Sequence, residues 1–379
     1  MERNYMLEET LSYPALFDAV YEPLLWQAEQ AIPAEVLRQV DTIYIYGSGD
    51  SLNAAACVCQ SFWEYAQVPA YPVAAMQASR YIAHSITPER AARTLTIAIS
   101  NSGSAARTVE AAGALRNAGC HTAAFTARPN SGVGENCDYI LESRIPAFPA
   151  APYPLPGIRS FAMPVVGLHL LAVHMGLARG VLTEEKAQEL RQEFRELSGI
   201  LEEAFQREGD TLQSFAQRCG QCQRMEFIAT GPCRGAADFG VSKVLEGLGY
   251  AALSQDMEEF AHQTFFSNDT QQLPTVLIAP THSRSFSRAK EILQVLQHLE
   301  RPILIMTDDR EAFAAETGIE VVCLSKPVRE TYAALVFSCL MTYLASVMPL
   351  RDGDQYMHGH SGVYNEEGLP TDRGSAIEW

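Results

Sequence analysis

The sequence predicts an α/β protein with two doubly wound, mainly parallel β-sheets, each flanked by helices. The first observation is that strand-like and helix-like stretches alternate along the chain from about residue 42, as they do when crossover helices connect parallel strands. The second observation is that this alternation starts again near residue 225. The two halves therefore look like versions of one unit that is repeated after roughly 180 residues.

The first half contains short apolar stretches that are separated by good helix formers. Its predicted strands are 42–47, 94–99, 121–126 and 138–142. Its predicted helices are 50–66 and 105–118. This succession implies a parallel sheet with helices on both faces.

A proline-rich loop and two helices are predicted between the halves. Residues 145–157 hold five prolines, which remove backbone donors and stiffen an extended segment, so we expect a loop. An apolar stretch from Phe161 to Ala178 follows, and then a charged helix over 183–209. The apolar stretch is short for a membrane span and contains Pro164, so a buried helix is the better interpretation.

The second half repeats the pattern and ends in a polar, glycine-rich tail. Its predicted strands are 225–230, 275–280, 302–307 and 319–324, residues 251–255 are also strand-like, and its predicted helices are 236–248 and 328–348. We divide the chain into an N-terminal helical segment (1–40), a first domain (41–182), a linking helix (183–219), a second domain (220–350) and a C-terminal tail (351–379).

Charge and composition exclude several classes of partner. The formal net charge is -17, which argues against nucleic acid and anionic membranes, because both require a basic surface.

The chain start has neither the basic nor the apolar region of a signal peptide. Cys219 and Cys222 have CxxC spacing, but no second pair completes a zinc site, so we expect free thiols in a reducing cytoplasm and neither metal nor cofactor.

Three corners of the first half offer small residues with hydrogen-bond donors. The main one is Ser-Asn-Ser-Gly-Ser at 100–104, between a strand and a helix, and the others contain Ser51 and Ser160 at helix starts. Exposed N–H groups at a helix start and serine hydroxyls form an anion site, but a simple helix N-cap explains one such corner equally well. A dinucleotide site is a weaker alternative, since Leu52 stands where G-x-G-x-x-G requires its third glycine.

The second half carries a different set of candidate residues. Lys243 and Glu246 are three residues apart, so they share one face of a helix, and His262 follows sixteen residues later. The chain must return to bring His262 near Glu246. On spacing alone, a solvated Lys–Glu pair and an incidental histidine remain the simpler interpretation.

Together these corners and the repeated α/β unit resemble the sugar isomerase (SIS) phosphosugar-binding family. The region from about 40 to 379 resembles a double-SIS protein, similar to the isomerase half of glucosamine-6-phosphate synthase and to phosphosugar deaminases and fructosamine-6-phosphate deglycases. The family's Lys-x-x-Glu with a later His matches Lys243, Glu246 and His262. The resemblance therefore implies that these three residues are catalytic.

The resemblance also implies a set of substrate-binding residues. The family's phosphate loop matches Ser100, Asn101 and Ser102, and Gly103 permits the turn. The family's hydroxyl-binding serine matches Ser51, and the serine of its third corner matches Ser160.

Three departures from the family pattern matter for function. Ala105 stands where the family usually has threonine, so Ser104, or Thr108 one turn further on, would have to supply that hydroxyl. No lysine follows Lys326, and Arg373 is the candidate tail contact in place of the lysine that enters the site in amino-sugar synthases. Residue 2 is Glu and not a nucleophilic Cys, so we do not expect glutamine-driven amination.

The resemblance implies chemistry on an open-chain phosphosugar. His262 would open the ring, Glu246 would move a proton between C1 and C2, and Lys243 would hold Glu246 ionised or neutralise an oxyanion. We expect a deglycase or deaminase that cleaves a C–N bond. The alternatives are an aldose–ketose isomerase and a non-catalytic phosphosugar sensor. Because the catalytic His of related double-SIS proteins comes from a partner subunit, we also expect a homodimer with shared sites.

Overall fold

The computed structural model describes residues 3–351, 354–358 and 374–378. These residues form two compact units. The first unit contains residues 16–147, 159–195 and 374–378, and the second contains residues 3–15, 148–158, 196–351 and 354–358. Each unit is built around one β-sheet.

The first sheet has five parallel strands. They are β1 (Thr42–Gly47), β2 (Ala70–Ala74), β3 (Thr94–Ile99), β4 (His121–Thr126) and β5 (Tyr139–Glu142). Their order across the sheet is β2-β1-β3-β4-β5. Every residue of β3 is buried, which explains the continuous apolar character of this central strand.

The second sheet repeats this topology. Its strands are β6 (Arg224–Ile228), β7 (Ala251–Gln255), β8 (Thr275–Ile278), β9 (Ile303–Thr307) and β10 (Ile319–Cys323). Their order is β7-β6-β8-β9-β10, and all four pairs are parallel. The prediction of two similar α/β units with parallel sheets is therefore confirmed.

Helices connect the strands of both sheets. In chain order they are α1 (Tyr5–Leu11), α2 (Tyr13–Gln30), α3 (Ala34–Gln39), α4 (Asp50–Ser61), α5 (Ala75–Gln77), α6 (Ala83–Ser85), α7 (Pro88–Ala91), α8 (Ala106–Asn117), α9 (Gly132–Glu135), α10 (Arg159–Ala178), α11 (Glu184–Arg195), α12 (Leu197–Cys219), α13 (Cys233–Leu248), α14 (Met257–His262), α15 (Phe286–His298) and α16 (Glu330–Val347). Short π-helical segments occur at Phe62–Ala66 and Ala78–Ile82. Short 3-10 turns occur at Gly220–Cys222, Thr264–Phe266, Thr270–Gln272 and Glu311–Phe313.

Two elements differ from the sequence prediction. Strand β2 was not predicted, because Pro72 at its centre indicates a loop; proline is tolerated here because β2 is an edge strand. The single charged helix expected over 183–209 is two helices, α11 and α12, which are interrupted at Glu196.

Within the described part of the chain, two helices, α10 and α16, are apolar and long enough to cross a membrane by length and composition alone. In each, 83% of the most apolar window is buried inside the structure, as expected of a core helix. Sixteen residues of α10 are buried, so the prediction of a buried helix over 161–178 is confirmed.

One buried polar pair lies inside the first unit. The Nδ1 atom of His169 in α10 is 2.6 Å from the hydroxyl of Ser61 in α4, and the His169 ring packs 5.6 Å from that of Phe194. Burial lowers the pKa of His169 to about 3, because the charged imidazolium would lose its hydration there. His169 is therefore neutral at physiological pH.

This shift predicts a loss of stability in acid. The unfolded chain binds a proton at His169 near its ordinary pKa of 6.5, whereas the folded chain resists protonation down to about pH 3. Between these values the unfolded state binds more protons, so the free energy of unfolding should fall as pH falls, by up to about 1.4 kcal/mol per pH unit from this residue. Urea unfolding of the wild type and of His169→Gln between pH 7 and pH 4 measures the effect.

The His169→Gln variant should show a weaker dependence of stability on pH than the wild type. The exposed His298→Gln variant is the matched control and should keep the wild-type slope. An unchanged slope in His169→Gln would contradict the prediction.

Candidate functional site

The topology of the first sheet creates a crevice at its carboxyl edge. Helices α4 and α8 follow the neighbouring strands β1 and β3 and pack on opposite faces. The face with Ala98 and Ala124 packs against α8, and the face with Phe125 packs against α10, which contacts α4. Ligands of doubly wound sheets bind at such a switch point.

A small pocket lies at this crevice, entirely within the first unit. Its volume is about 40 Å³. Because one water needs about 10–15 Å³ by this measure, the pocket has room for a group of a few heavy atoms, such as a phosphate, and not for a sugar. Its lining residues are Asp50, Ser51, Ile99, Asn101, Phe125, Ser143, Ser160, Phe161 and Pro164.

Three candidates from the sequence thus come together in this pocket. Ser51 and Ser160 lie in the first turns of α4 and α10, and Asn101 lies in the loop after β3. Two other lining residues, Asp50 and Ser143, were missed by the sequence analysis. The signal for Ser143 was available, since it directly follows β5 and therefore lies at the same carboxyl edge.

The loop at 100–104 is held by its own hydrogen bonds. The backbone N–H of Gly103 donates to the Ser100 hydroxyl over 3.1 Å, and the Ser104 hydroxyl donates to that of Ser102, also over 3.1 Å. Gly103 has φ +65°, and a Cβ there would lie 1.9 Å from the Ser131 hydroxyl oxygen. Both the dihedral angle and the lack of space require glycine at this position.

Neither the serines of the 100–104 loop nor Ser51 is the N-cap of α8 or α4. Helix α8 begins at Ala106, and its N-cap, Ala105, has no side-chain hydrogen bond to the helix. The N-cap of α4 is Gly49, with φ +56°, and it too has no side-chain cap. The N–H groups in the first turns of both helices therefore donate to no capping side chain, although those of Ser51 and Leu52 in α4 donate to the carbonyls of Ser48 and Gly49. The dipole of each helix start still favours an anion.

The two candidates for the hydroxyl that Ala105 lacks differ in exposure. Thr108 is 1% exposed, within the packing of α8, whereas Ser104 is exposed. Ser104 is therefore the better substitute.

Two larger pockets of the first unit contain none of the predicted residues. One, of about 820 Å³, lies at the amino ends of β1 and β3 and is lined by Thr42 and Thr94. The other, of about 650 Å³, lies along α2. The first lies at the opposite edge of the sheet from the carboxyl ends. The second lies beside the end of the edge strand β5, near Glu142 and Arg144, and not at the switch point between β1 and β3, where ligands of such sheets bind.

Lys243 and Glu246 form a close pair on α13 in the second unit. The Lys243 side chain is 0% exposed, so it is not part of a solvated surface pair. Its ammonium group donates to Glu246 Oε2 over 2.7 Å and to the Gly157 carbonyl over 2.9 Å, and lies 4.8 Å from the centre of the Phe239 ring. Glu246 keeps a side-chain exposure of 39%, so it is accessible beside a buried positive charge.

A second histidine, missed by the sequence analysis, lies against the glycine that ends α13. Gly249, which ends α13 with φ +65°, faces the imidazole of His358; a Cβ on Gly249 would lie 2.4 Å from its Cδ2 atom. The Nδ1 atom of His358 is 2.7 Å from Asp354 Oδ2. The i,i+4 spacing of Asp354 and His358 was the available signal, in a segment that was classed only as polar tail.

The structure does not bring His262 to Glu246 within one chain. Phe227 of β6 faces α13, with a ring atom 3.1 Å from the Cβ position of Gly240. Its neighbour Ile228 packs with Met257 and Phe260 of α14, on the other face of the sheet. Helix α13 carries Glu246 and α14 carries His262, so the second sheet stands between them.

His262 itself is exposed. Its side chain is 68% exposed, and its Nε2 atom is 3.4 Å from Glu258 one turn earlier. Glu258 is also bound by Arg288 at 2.9 Å. His262 therefore projects into solvent next to a carboxylate.

The described C-terminal residues contact α8 in the first unit. The backbone N–H of Glu378 donates to Glu110 over 2.8 Å, and Arg107 donates to the Ala376 carbonyl. Burial alone would raise the pKa of Glu110, but bonds from Arg80 and the Glu378 backbone lower it. Arg373, the predicted tail contact, lies outside the described residues.

The corresponding corner of the second sheet is bonded to carboxylates of the chain. After β8, the Ser283 hydroxyl donates to Glu330 Oε1 over 2.6 Å, and Thr281 donates to Asp308 Oδ1 through its N–H and its hydroxyl over 2.7 and 2.9 Å. Gly231, which follows β6, also faces Glu330. The serine-rich segment 280–289 thus binds acidic side chains.

Comparison with protein families gives a match to one domain. The SIS domain family matches residues 36–164, which include all five strands of the first sheet. The match therefore covers every residue that lines the small pocket.

Curated relatives match most of the chain at low identity. Glutamine–fructose-6-phosphate aminotransferase (isomerizing) from Rhizobium meliloti is 25% identical over 330 residues, covering 82% of this chain and 51% of that protein. The enzyme of the same name from Pseudomonas syringae pv. tomato is 25% identical over 367 residues, covering 93% of this chain and 57% of that protein. The chain spans about half the length of these relatives.

Solved structures share the fold over nearly the whole chain. The C-terminal domain of glucosamine-fructose-6-phosphate aminotransferase from Francisella tularensis has a TM-score of 0.80 at 17% identity, covering 91% of this chain and 95% of that one. Glucosamine-6-phosphate deaminase from Thermotoga maritima has a TM-score of 0.62 at 15% identity, covering 90% of this chain and 94% of that one. The chain therefore contains a SIS domain over residues 36–164, which includes the switch-point pocket, and its fold is similar to these structures over nearly its whole length.

Proposed function

We propose that this protein is an enzyme that cleaves the C–N bond of an amino-sugar or fructosamine 6-phosphate. The observation that carries the proposal is the fully buried Lys243 bonded to the accessible Glu246. A buried ammonium group is costly unless it is paired, so this arrangement marks a functional position better than a surface pair would.

The small pocket of the first unit is the proposed phosphate site. Its lining serines and Asn101 supply donors without a basic side chain, and the dipole of α4 points its positive end at the same place. This suits a protein with net charge -17, because local dipoles must capture the anion. Anchoring the phosphate fixes the register of the sugar carbons for reaction.

The proposed reaction proceeds through the open-chain sugar. His262 transfers a proton between the ring oxygen and the C1 or C2 hydroxyl, which opens the ring. Glu246 removes a proton from one of the two carbons and returns it to the other, which converts the amine into an imine. Water then adds to the imine and the C–N bond breaks, which leaves a carbonyl on the sugar and a free amine. Lys243, which is fully buried, orients Glu246 through their hydrogen bond.

We further propose that two copies share each site. Glu246 and His262 lie on elements that pack on opposite faces of one sheet, so a site with both residues needs His262 from a second chain. The exposure of His262 fits such a role, and so does the 73% exposure of Phe266 four residues later. The proposal therefore includes a homodimer. We also propose that this dimer is water-soluble and cytoplasmic.

Two other activities are compatible with the same residues. An aldose–ketose isomerase would stop after the proton transfer, and several structural relatives are named as phosphosugar isomerases. A sensor would bind the phosphosugar without turnover. The C–N-cleaving activity is favoured because the named activities of the aminotransferase and deaminase relatives both act at a C–N bond.

The first prediction from the proposed function concerns turnover. The protein should release ammonia from glucosamine 6-phosphate or free amine from a fructosamine 6-phosphate, measured with a parallel assay for aldose–ketose conversion. The Glu246→Gln variant should bind the sugar phosphate but lose activity by about 10² to 10⁴, because the acid–base group is gone. Glu202→Gln, at an exposed position of α12, is the control.

Three results would change this assignment. Full activity in Glu246→Gln would remove Glu246 from catalysis. Tight binding without any turnover by the wild type would favour the sensor. Conversion between aldose and ketose without amine release would favour the isomerase.

The second prediction tests the shared site by mixing inactive variants. If Glu246 and His262 come from different chains, a mixed dimer of Glu246→Gln and His262→Asn contains one site with both native residues. Activity should therefore reappear when the two variants are unfolded together and refolded. If both residues serve the same site from one chain, each mixed site is defective and the mixture stays inactive.

The third prediction concerns the phosphate loop. Gly103→Ala should raise the KM for the phosphosugar by at least about tenfold, because the new Cβ displaces Ser131 and the 100–104 loop. Gly180→Ala is the matched control, since Gly180 has φ +69° and nothing within 4 Å of its Cβ position. Equal effects of the two variants on KM would show that backbone strain, and not the phosphate loop, is responsible.

A further inference from the structure

The segment that carries His262 is attached to a fully buried ion pair. Glu226 of β6 and Arg301, just before β9, both have side chains that are 0% exposed, and Arg301 donates to Glu226 Oε2. Arg301 also donates to the Thr275 hydroxyl over 3.1 Å. Glu226 shares its face of the strand with the core residue Ile228, at a place where an apolar side chain is expected.

This ion pair contacts the chain on both sides of His262. Arg301 donates to the backbone carbonyl of Thr264 over 2.8 Å, and the Thr264 hydroxyl donates to Glu226 Oε1. On the other side, the guanidinium of Arg301 lies 5.1 Å from the centre of the Phe260 ring. Phe260 is two residues before His262 and Thr264 is two residues after it.

Stability alone does not account for such a pair. A buried ion pair contributes little or nothing compared with apolar residues of similar volume, because both charges lose their hydration. The pair does hold the backbone in place, because the directional hydrogen bonds of the guanidinium and the carboxylate fix Thr264 in one geometry. The position of the turn that carries the exposed His262 is thereby fixed.

We propose that Arg301 and Glu226 are positioning residues that act on His262 through Thr264. This inference rests on the proposed role of His262 in ring opening. The hydroxyl of Thr264 is the link that is most easily removed, because valine has the same shape without the donor. Loss of this bond lets the turn move and takes the imidazole out of its reactive position.

The test compares Thr264→Val with Thr264→Ser, which keeps the hydroxyl. Thr264→Val should lower kcat by at least about tenfold with KM for the phosphosugar within about twofold of the wild type, since misplaced catalytic groups lose rate rather than binding. Thr264→Ser should keep kcat within about twofold. Thr270→Val, at the first residue of the next 3-10 turn, is the matched control, and Thr264→Ala serves as a second variant without the hydroxyl.

A spectroscopic measurement separates this inference from the proposed function. The imidazole ¹H–¹³C signal of His262, assigned by its loss in His262→Asn, should shift or broaden in Thr264→Val and stay unchanged in Thr264→Ser and Thr270→Val. An unchanged signal and kcat in Thr264→Val, even with a lower Tm, would overturn the positioning role. Equal losses in Thr264→Val and Thr264→Ser would also overturn it. If the wild type converts no phosphosugar, the proposed function fails, and the signal of His262 alone decides whether Thr264 positions it.

Discussion

A parallel sheet requires each crossover helix to start where one strand ends and to return to the amino edge before the next strand begins. All the corners between strand and helix therefore collect at the carboxyl edge. In the first unit this constraint brings together residues that are more than a hundred positions apart, from Ser51 to Ser160. In the second unit the chain runs from β6 outwards to β7 and then back past β6 to β8, so right-handed crossovers place α13 and α14 on opposite faces of the sheet and separate Glu246 from His262.

Sequence patterns were sufficient for the parts of the fold that depend on burial. The central strands consist of apolar residues and buried threonines because both faces are covered, and they were predicted with nearly the observed bounds. Strand β2 was missed because its place is set by pairing with β1 and not by its own residues, which include Pro72. The break at Glu196 was missed because both helices have the charged pattern of a single surface helix.

The candidate site was predictable where one corner carries its own signal. Ser51, Asn101 and Ser160 could be found because each follows a recognisable strand or loop, and the structure brings all three to one pocket. The burial of Lys243 could not be foreseen, because i,i+3 spacing is the same for a solvated pair and for one covered by Gly157 and Phe239. The separation of His262 from Glu246 could not be foreseen either, because it depends on which face of the sheet each side chain of β6 points to.

The carboxylates at the corner of the second sheet decide what that corner can bind. Both sheets have the same strand order, so both have a corner at the equivalent carboxyl edge. In the second sheet, Glu330 and Asp308 accept hydrogen bonds from Ser283 and Thr281, so these carboxylates already use donors that an anion would need. An anion at this corner would also be repelled by the two negative charges. The same strand order therefore does not give the two sheets equivalent binding sites.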